Sequence, residues 1–242
     1  MIHVESLLYK LDMRLNKVAV LEHQVIPLEN KILALNEAQL KLVKVKMDPN
    51  NPLNIGFDAN KKRYEDLENL VEDMSDHPLT LKLTDPRLNE WSASLEGITP
   101  RYMFYVDAYI VADKGDCKNK ILYVNKGLAK HADILTLLAN SSWRPSFEYE
   151  ETFSVVSNYN VSVYTDGTFT PSKIYLSYVR YPKIIDYPGY VHFDGTLSVK
   201  SDSELHHYLE DELLNFAVDE LAMDTENIPA VQMTQERIKT SE

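Results

Sequence analysis

The sequence predicts an α+β fold. A helical core, made of an N-terminal helix hairpin and a C-terminal helix, carries an antiparallel β-rich insertion. Two amphipathic segments open the chain, at 3–22 and 27–46, and another lies near its end. Between them, apolar residues recur at every second position, which is typical of half-buried strands. Because helices and strands occupy separate stretches rather than alternating, an antiparallel sheet is favoured over a parallel α/β arrangement.

The first two helices are predicted to form an antiparallel hairpin. Pro27 suits the first turn of the second helix, where its missing N–H is not needed, and Asp48-Pro49 ends that helix. The hairpin alone leaves an apolar stripe uncovered, so the rest of the domain or a neighbouring copy must cover it. We expect a neighbouring copy to do so. The residues of this expected oligomer interface are Leu7, Leu11, Leu15, Leu28, Ile32 and Leu35.

A short third helix is predicted over 60–74, and the apolar period changes to two from about Leu79. Gly115 marks the turn between the first two long strands. Asp166-Gly167 predicts a hairpin between the last two strands, because glycine readily adopts a positive φ. The expected strands are 103–112, 121–125, 147–157, 161–164 and 173–180, with a short helix at 128–140.

The final helix is predicted to begin at Ser201-Asp202-Ser203-Glu204. Ser201 and Glu204 have the spacing of a capping box, and Asp202 or Ser203 is the alternative cap. The acidic residues of this helix are expected mostly on its solvent-facing side. Beyond Pro229 no periodicity remains, which indicates an extended tail that becomes ordered only on a partner. The expected portal- or neighbour-docking residues of this tail are Val231, Met233 and Ile238.

These elements divide the 242-residue chain into four parts. Residues 1–75 form the helical part, 76–200 the β-rich insertion, 201–228 the helix that completes the core, and 229–242 the tail. A hydrophobic content of 44% is ordinary for a domain with a packed core. The fifteen tyrosines suit half-buried sheet faces and subunit interfaces, since the ring is buried while the hydroxyl keeps a partner.

The net charge of −12 is unevenly distributed along the chain. Residues 1–46 carry a net charge of +2, whereas residues 201–242 contain eleven acidic and two basic residues, a net charge of −9. Nucleic-acid binding by counterion release needs clustered cations, so a classical DNA reader is disfavoured. Acidic residues near the end would suit a lumen through which DNA slides without sticking, although an acidic outer face explains the charges equally well.

The sequence contains none of the familiar catalytic or cofactor motifs. His206 and His207 are adjacent, so on a helix they point about 100° apart and cannot hold one metal ion from the same face. Cys117 is the only cysteine, which excludes an internal disulfide. No apolar run approaches membrane-spanning length. We therefore expect a soluble protein without enzymatic activity, metal or cofactor.

Three parts of the sequence together resemble a known family. The first is LLYKLDMRLNK at 7–17, and the second is IPLENKILALNEAQ at 26–39. The third combines YVRYPKI at 178–184, ELH at 204–206 and AVDEL at 217–221. They resemble the head-to-tail connector, or ring, proteins of tailed bacteriophages, most closely those of crAss-like phages. The resemblance covers both ends of the chain well and its middle poorly.

The resemblance implies a structural virion protein that forms a homo-oligomeric, dodecameric ring in the phage neck. Its implied partners are the portal protein and further neck or tail proteins, with the C-terminal arm reaching the portal or an adjacent ring. Genomic DNA would pass through the ring without specific binding. The implied location is the neck or tail of the virion, and the host cytoplasm during assembly, with no membrane partner.

Two alternatives stay open. One is another virion adaptor or tail component built from similar modules. The other is a carbohydrate-binding or hydrolase-like β-domain with helical flanks. A carbohydrate-binding module would need an exposed aromatic platform. The candidate platform residues are Tyr102, Tyr105, Tyr109, Tyr159 and Tyr164.

Overall fold

The computed structural model describes residues 1–18, 26–47, 65–73, 78–129 and 131–224. Within them the chain has an α+β fold, and it divides into two compact units. Unit 1 comprises Met1–Leu70 and Tyr181–Glu242, and unit 2 is Val71–Arg180. The predicted tail 229–242, with Val231, Met233 and Ile238, lies outside the described residues.

Unit 1 contains three of the described α-helices. These are α1, Val4–Val18, then α2, Leu28–Met47, and α4, Glu210–Asp224. Both α1 and α2 pack against α4, which thereby covers the apolar faces of both. The two predicted N-terminal helices are confirmed over the described residues, and so is the helical stretch that contains 217–221.

The predicted oligomer interface lies mostly inside unit 1. Leu7, Leu11 and Leu35 have no exposed surface, and Ile32 is 3% exposed. Leu15 and Leu28 are half-buried. The prediction that the stripe faces a neighbouring copy is therefore wrong for the four buried residues. The pattern identified the buried face correctly, but α4 of the same chain is what buries it.

The final helix begins later than its capping motif predicts. A 3₁₀ turn at His207–Leu209 leads into α4, while Ser201 and Ser203 form isolated β-bridges with Asp186 and Ile2. Asp202 instead accepts a hydrogen bond from the backbone N–H of Val4, 2.9 Å away, at the start of α1. The motif therefore caps the first helix rather than the last.

The segment 181–200 belongs to unit 1, although the sequence predicts it to be part of the insertion. It runs along α2, held by side-chain amides of that helix. Gln39 donates to the carbonyl of Lys183, 2.9 Å away, and Asn36 both donates to the carbonyl and accepts from the N–H of Ile185, each at 2.8 Å. These two amides pair backbone groups that would otherwise be left without partners in a partly buried place.

Unit 2 is built on a nine-stranded mixed sheet. Its strands follow the sheet order β1-β9-β5-β6-β7-β8-β4-β3, and β2 pairs with β9 on the same side as β1. Only Leu81 separates β2 from β3, so the sheet closes on itself. The strands are β1 Val71–Asp73, β2 Leu79–Thr80, β3 Lys82–Asp85, β4 Glu90–Ser94, β5 Tyr102–Lys114, β6 Cys117–Leu128, β7 Glu151–Ser157, β8 Asn160–Tyr164 and β9 Thr170–Arg180.

Three features of unit 2 differ from the sequence expectations. The pairing of β6 with β7 is parallel, because the intervening crossover, with a 3₁₀ turn at His131–Asp133 and helix α3 at Ile134–Ala139, returns the chain in the same direction. The predicted hairpin of β8 and β9 does not form: β8 pairs with β7 and β4. The predicted helix 60–74 ends by Leu70, since Val71–Asp73 pairs with β9.

The interior of the closed sheet is the core of unit 2. Inward-facing residues alternate with outward-facing ones along the strands, as at Ala108, Ile110 and Ala112 of β5. The predicted β5–β6 hairpin is confirmed, with Gly115 at φ +55° in its turn. The residues of this interior with no exposed surface are Ile110, Ala112, Leu122, Val161, Val163, Ile174 and Leu176.

Candidate functional site

A groove with a volume of about 250 Å³ opens on the surface of unit 2. It lies between the segment that follows β4 and the turn that joins β7 to β8. We call it the Tyr159 groove. Its walls are Leu95, Glu96, Ile98, Arg101, Tyr102 and Tyr159.

The walls of the Tyr159 groove are held by hydrogen bonds and ring contacts. The N–H of Leu95 donates to the carbonyl of Tyr159, 2.7 Å away, which ties the two sides together. The hydroxyl of Tyr178 donates to the carbonyl of Pro100 at 2.6 Å, and its ring lies 5.7 Å from that of Tyr102. Burial raises the pKa of the Tyr102 hydroxyl. The groove is therefore preformed.

Tyr159 has a backbone conformation that is unusual for its residue type. It occupies the second position of a two-residue turn, with φ +57°, after Asn158 at φ +48°. Two-residue hairpin turns with both φ values positive strongly prefer Asn-Gly. A non-glycine residue here costs about 1–2 kcal/mol, yet the side chain is 60% exposed and so packs little within the chain. Strain of this kind is common where a side chain must be presented for function.

Unit 1 presents an apolar surface on residues 186–201, which we call the Phe193 loop. Isolated β-bridges join Asp186 to Ser201 and Val191 to Leu197, and the chain reverses at Asp194-Gly195, where glycine has φ +82°. Phe193 is fully exposed at the tip. Its exposed apolar neighbours are Val191, Leu197 and Val199.

A buried carboxylate braces the Phe193 loop. Asp186 accepts hydrogen bonds from the Tyr190 hydroxyl (2.6 Å) and from the N–H groups of Tyr187 and Val199 (both 2.8 Å). Nε2 of His192 lies 3.1 Å from its other side. Burial favours the neutral acid, but these donors outweigh it and hold the pKa of Asp186 below its ordinary value. Burial and this carboxylate together raise the pKa of Tyr190.

Five acidic residues of α4 are paired with lysine or arginine side chains. Asp219 is almost fully buried, and Glu210 and Glu212 are largely covered. The expectation that these acids lie mostly on the solvent side is therefore wrong for all three. Four Lys and Arg side chains of α1 and α2 pair with the five acids, which therefore do not form an unpaired repulsive lining. The pairs are Lys10–Glu210 (2.6 Å), Arg14–Asp211, Lys46–Glu212 (2.9 Å), Lys41–Asp219 (3.4 Å) and Lys41–Glu220 (2.7 Å).

The five tyrosines of the postulated carbohydrate platform do not share one surface. Tyr164 is buried and stacks on Phe153, with ring centroids 5.0 Å apart. Tyr109 stacks instead on Tyr175, with centroids 4.6 Å apart. Only Tyr102 and Tyr159 meet, at the Tyr159 groove.

The other sequence candidates show no joint arrangement. His206 stacks on Tyr208 with ring centroids 5.2 Å apart, and Cys117 is exposed beside the β5–β6 turn. Over the ranges that the structure describes, no three His, Cys, Asp or Glu side chains are grouped as metal ligands would be. None of the helices in those ranges has both the length and the apolar character to cross a bilayer.

Sequence reasoning missed both the groove and the loop. A signal for the loop was present, since Asp194-Gly195 is flanked by the alternating apolar residues Val191, Phe193, Leu197 and Val199, a strong hairpin pattern. The groove had no such signal, because its walls come from separate stretches of the chain. No protein-family model matches the chain, and no curated protein matches its sequence. Its function must therefore be argued from residues and geometry.

Proposed function

We propose that the chain is a structural, non-enzymatic virion protein that forms a ring in the neck of a tailed bacteriophage, between portal and tail. In this proposal α1, α2 and α4, with the segment 181–200 along α2, form the helical body of each subunit. The sheet of unit 2 is the insertion that this body carries. The location in the virion and the partners come from the resemblance of both chain ends to connector proteins.

The observation that carries an assembly role is the Phe193 loop. The phenyl ring of Phe193 is exposed at its tip beside three further apolar side chains. The rest of the loop is held by four hydrogen bonds to the Asp186 carboxylate. Exposed apolar patches on a rigid support mark protein–protein contact surfaces, because an ordered loop loses little entropy on binding. An aromatic anchor of this kind is typical of the centre of an interface.

The proposal is tested by the assembly state of the full-length chain. We expect native mass spectrometry and electron microscopy to show closed rings, formed by the chain alone or upon addition of the portal protein. Mass spectrometry of purified virions should find the chain at ring stoichiometry relative to the portal. A chain that remains monomeric with and without portal, and that is absent from virions, would overturn the proposal.

DNA should pass such a ring without being held. We expect only weak, non-specific binding of duplex DNA at physiological salt, since the chain has a net charge of −12 and four cations of α1 and α2 are engaged with α4. Fluorescence anisotropy with a labelled duplex measures this. A submicromolar affinity that falls steeply with salt would contradict it.

A carbohydrate-binding domain is the second candidate, and the meeting of Tyr102 and Tyr159 at one groove is what favours it. Aromatic faces can stack on sugar rings. The groove is, however, smaller than the roughly 300–1,000 Å³ of most small-molecule sites. Saturable binding on a glycan array that is lost in Tyr159→Ala would support this candidate over the ring.

A further inference from the structure

We propose that the Phe193 loop of one copy inserts into the Tyr159 groove of a second copy, and that this contact repeats between the subunits of the ring. The inference rests on the proposed ring function and names its repeating interface. Both surfaces belong to the same chain, but each lies within a different unit.

The dimensions of the two surfaces correspond. The groove of about 250 Å³ is below the roughly 300–1,000 Å³ that drug-sized ligands need, but it accommodates one aromatic side chain. Phe193 is a single, fully exposed aromatic side chain at the tip of a narrow reversal. Between the rings of Tyr102 and Tyr159 it would find the edge-to-face or offset contacts that aromatic rings prefer.

Both surfaces are ordered before they meet. Asp186 holds the loop, and the hydrogen bond between Leu95 and Tyr159 holds the groove. Preorganised partners lose less conformational entropy on association, so a small contact can bind more tightly than its area suggests. The strained backbone of Tyr159 places its exposed ring at the mouth of the groove, where the proposed contact would use it.

The charges at the two rims are complementary. Asp194 follows Phe193 and is exposed, while Arg101 is exposed on the groove. An arginine–carboxylate pair between Arg101 of one copy and Asp194 of the next can thus form beside the inserted ring. This pattern matches the chain to another copy of itself.

The contact joins different surfaces of successive copies and is therefore heterologous. Heterologous contacts produce closed rings when the rotation between copies closes, and open filaments when it does not. Each copy then offers one loop and one groove, and a ring uses every one of them. The interface does not require the buried residues Leu7, Leu11, Ile32 and Leu35 to leave the core.

The test uses two variants of the full-length chain. Phe193→Ala removes the inserted ring, and Tyr159→Gly removes the groove wall while suiting the positive φ of its turn. Each alone should weaken self-association by about 30-fold, the size of an interface hot spot. Leu135→Ala is the matched control, since Leu135 is also exposed but lies in neither surface. Circular dichroism should show all three folded, and sedimentation velocity measures the assembly.

Mixing the two variants gives the decisive result. Phe193→Ala keeps an intact groove and Tyr159→Gly keeps an intact loop, so an equimolar mixture should form one-to-one dimers and no rings. The variant Asp194→Asn keeps the hydrogen bonds of the turn to Thr196 but removes the charge. It should weaken association by no more than about fivefold, the size of an exposed ion pair.

The outcomes separate this inference from the ring proposal. If both variants form rings as readily as the wild-type chain, the inference is wrong and the ring uses another surface. If the mixture fails to form dimers while each variant is folded and ring-deficient, the pairing of loop with groove is also wrong. If the wild-type chain forms no assembly in solution, with portal or in virions, the ring proposal itself fails.

Discussion

Both units bury apolar side chains, but unit 1 also buries an ion pair. In unit 1 three helices are joined by ion pairs, and one lysine, Lys46, is buried between Asp66 and Glu212 at 3.2 and 2.9 Å. In unit 2 a closed sheet surrounds an apolar interior that includes Ile110, Leu122 and Ile174. The stability of unit 1 should therefore depend on charge and pH as well as on side-chain volume, whereas that of unit 2 should depend chiefly on side-chain volume.

The largest expected effect is at the buried ion pair of unit 1. Lys46→Met should destabilise the chain by about 3–5 kcal/mol, because Asp66 and Glu212 lose the cation between them. Burial opposes the charge of Lys46, but Glu212 and Asp66 outweigh it and raise its pKa above 10.5. A raised pKa means that the stabilisation is complete below pH 10.5 and is lost as the pH rises through the folded-state value.

Urea denaturation of Lys46→Met and of the wild-type chain at pH 7 measures the loss of stability. Urea denaturation of the wild-type chain between pH 9 and 12 measures the loss of this stabilisation as the pH rises. The control is Lys200→Met, which removes an exposed pair with Glu5 and should change stability little. Equal effects of the two substitutions would show that burial does not distinguish the pairs.

The next effect is in the interior of unit 2. Leu122→Ala should lower the free energy of unfolding by about 2–5 kcal/mol, since it removes methyl groups from a fully buried position and leaves a cavity. This loss should not vary with salt concentration. Tyr123→Ala, on the outward face of the same strand, is the control and should have a much smaller effect. If the loss of stability in Leu122→Ala depended on salt concentration, the expected difference between the two units would be wrong.

A smaller effect is expected at the N-terminus of α1. Asp202→Ala should cost about 1 kcal/mol, because it removes the cap on the N–H of Val4. Asp202→Asn should keep most of the stability, since asparagine caps as well as aspartate. The N–H of Val4, aided by His3 and opposed by burial, lowers the pKa of Asp202 below 3.8. A lowered pKa means that the stabilisation is present above pH 3.8 and is lost as the pH falls through the folded-state value.

Thermal unfolding of the two Asp202 variants at pH 7 and pH 2.5 measures this. The difference between Asp202→Ala and wild type should shrink at the lower pH. If Asp202→Ala melted like wild type at pH 7 while Ser201→Ala did not, the capping box of the last helix would be the correct interpretation after all.

The smallest effect concerns an exposed ion pair. Lys10→Met should cost about 0.2–1 kcal/mol, because Lys10 is nearly half exposed and solvent screens its contact with Glu210. Raising the salt concentration to 1 M should abolish most of the difference from wild type. A loss as large as that of Lys46→Met would mean that exposed pairs stabilise unit 1 as strongly as the buried one.

The capping motif shows why local patterns can mislead. Ser201 and Glu204 have the spacing of a capping box, yet both are used by distant partners. The hydroxyl of Ser201 donates to the carbonyl of Ile184 at 2.7 Å, and Glu204 accepts from the N–H of Lys183 at 3.1 Å. A cap needs only an acceptor in the right place, and Asp202 provides it to α1 across nearly the whole sequence. Spacing identifies such groups but not their partners.

The sequence by itself determined the elements whose signals are local. These are α1 and α2 from their helical period, the β5–β6 hairpin from Gly115 and its flanking alternation, and the α+β class from the segregation of helices and strands. Only the tertiary structure decided what covers each apolar face and which strands are neighbours. It placed α4 over the stripe of α1 and α2, made β6 and β7 parallel, and brought Tyr102 and Tyr159 together at one groove. The physical reason is that periodicity records which side of an element avoids water, whereas the choice of partner depends on contacts between residues far apart in the chain.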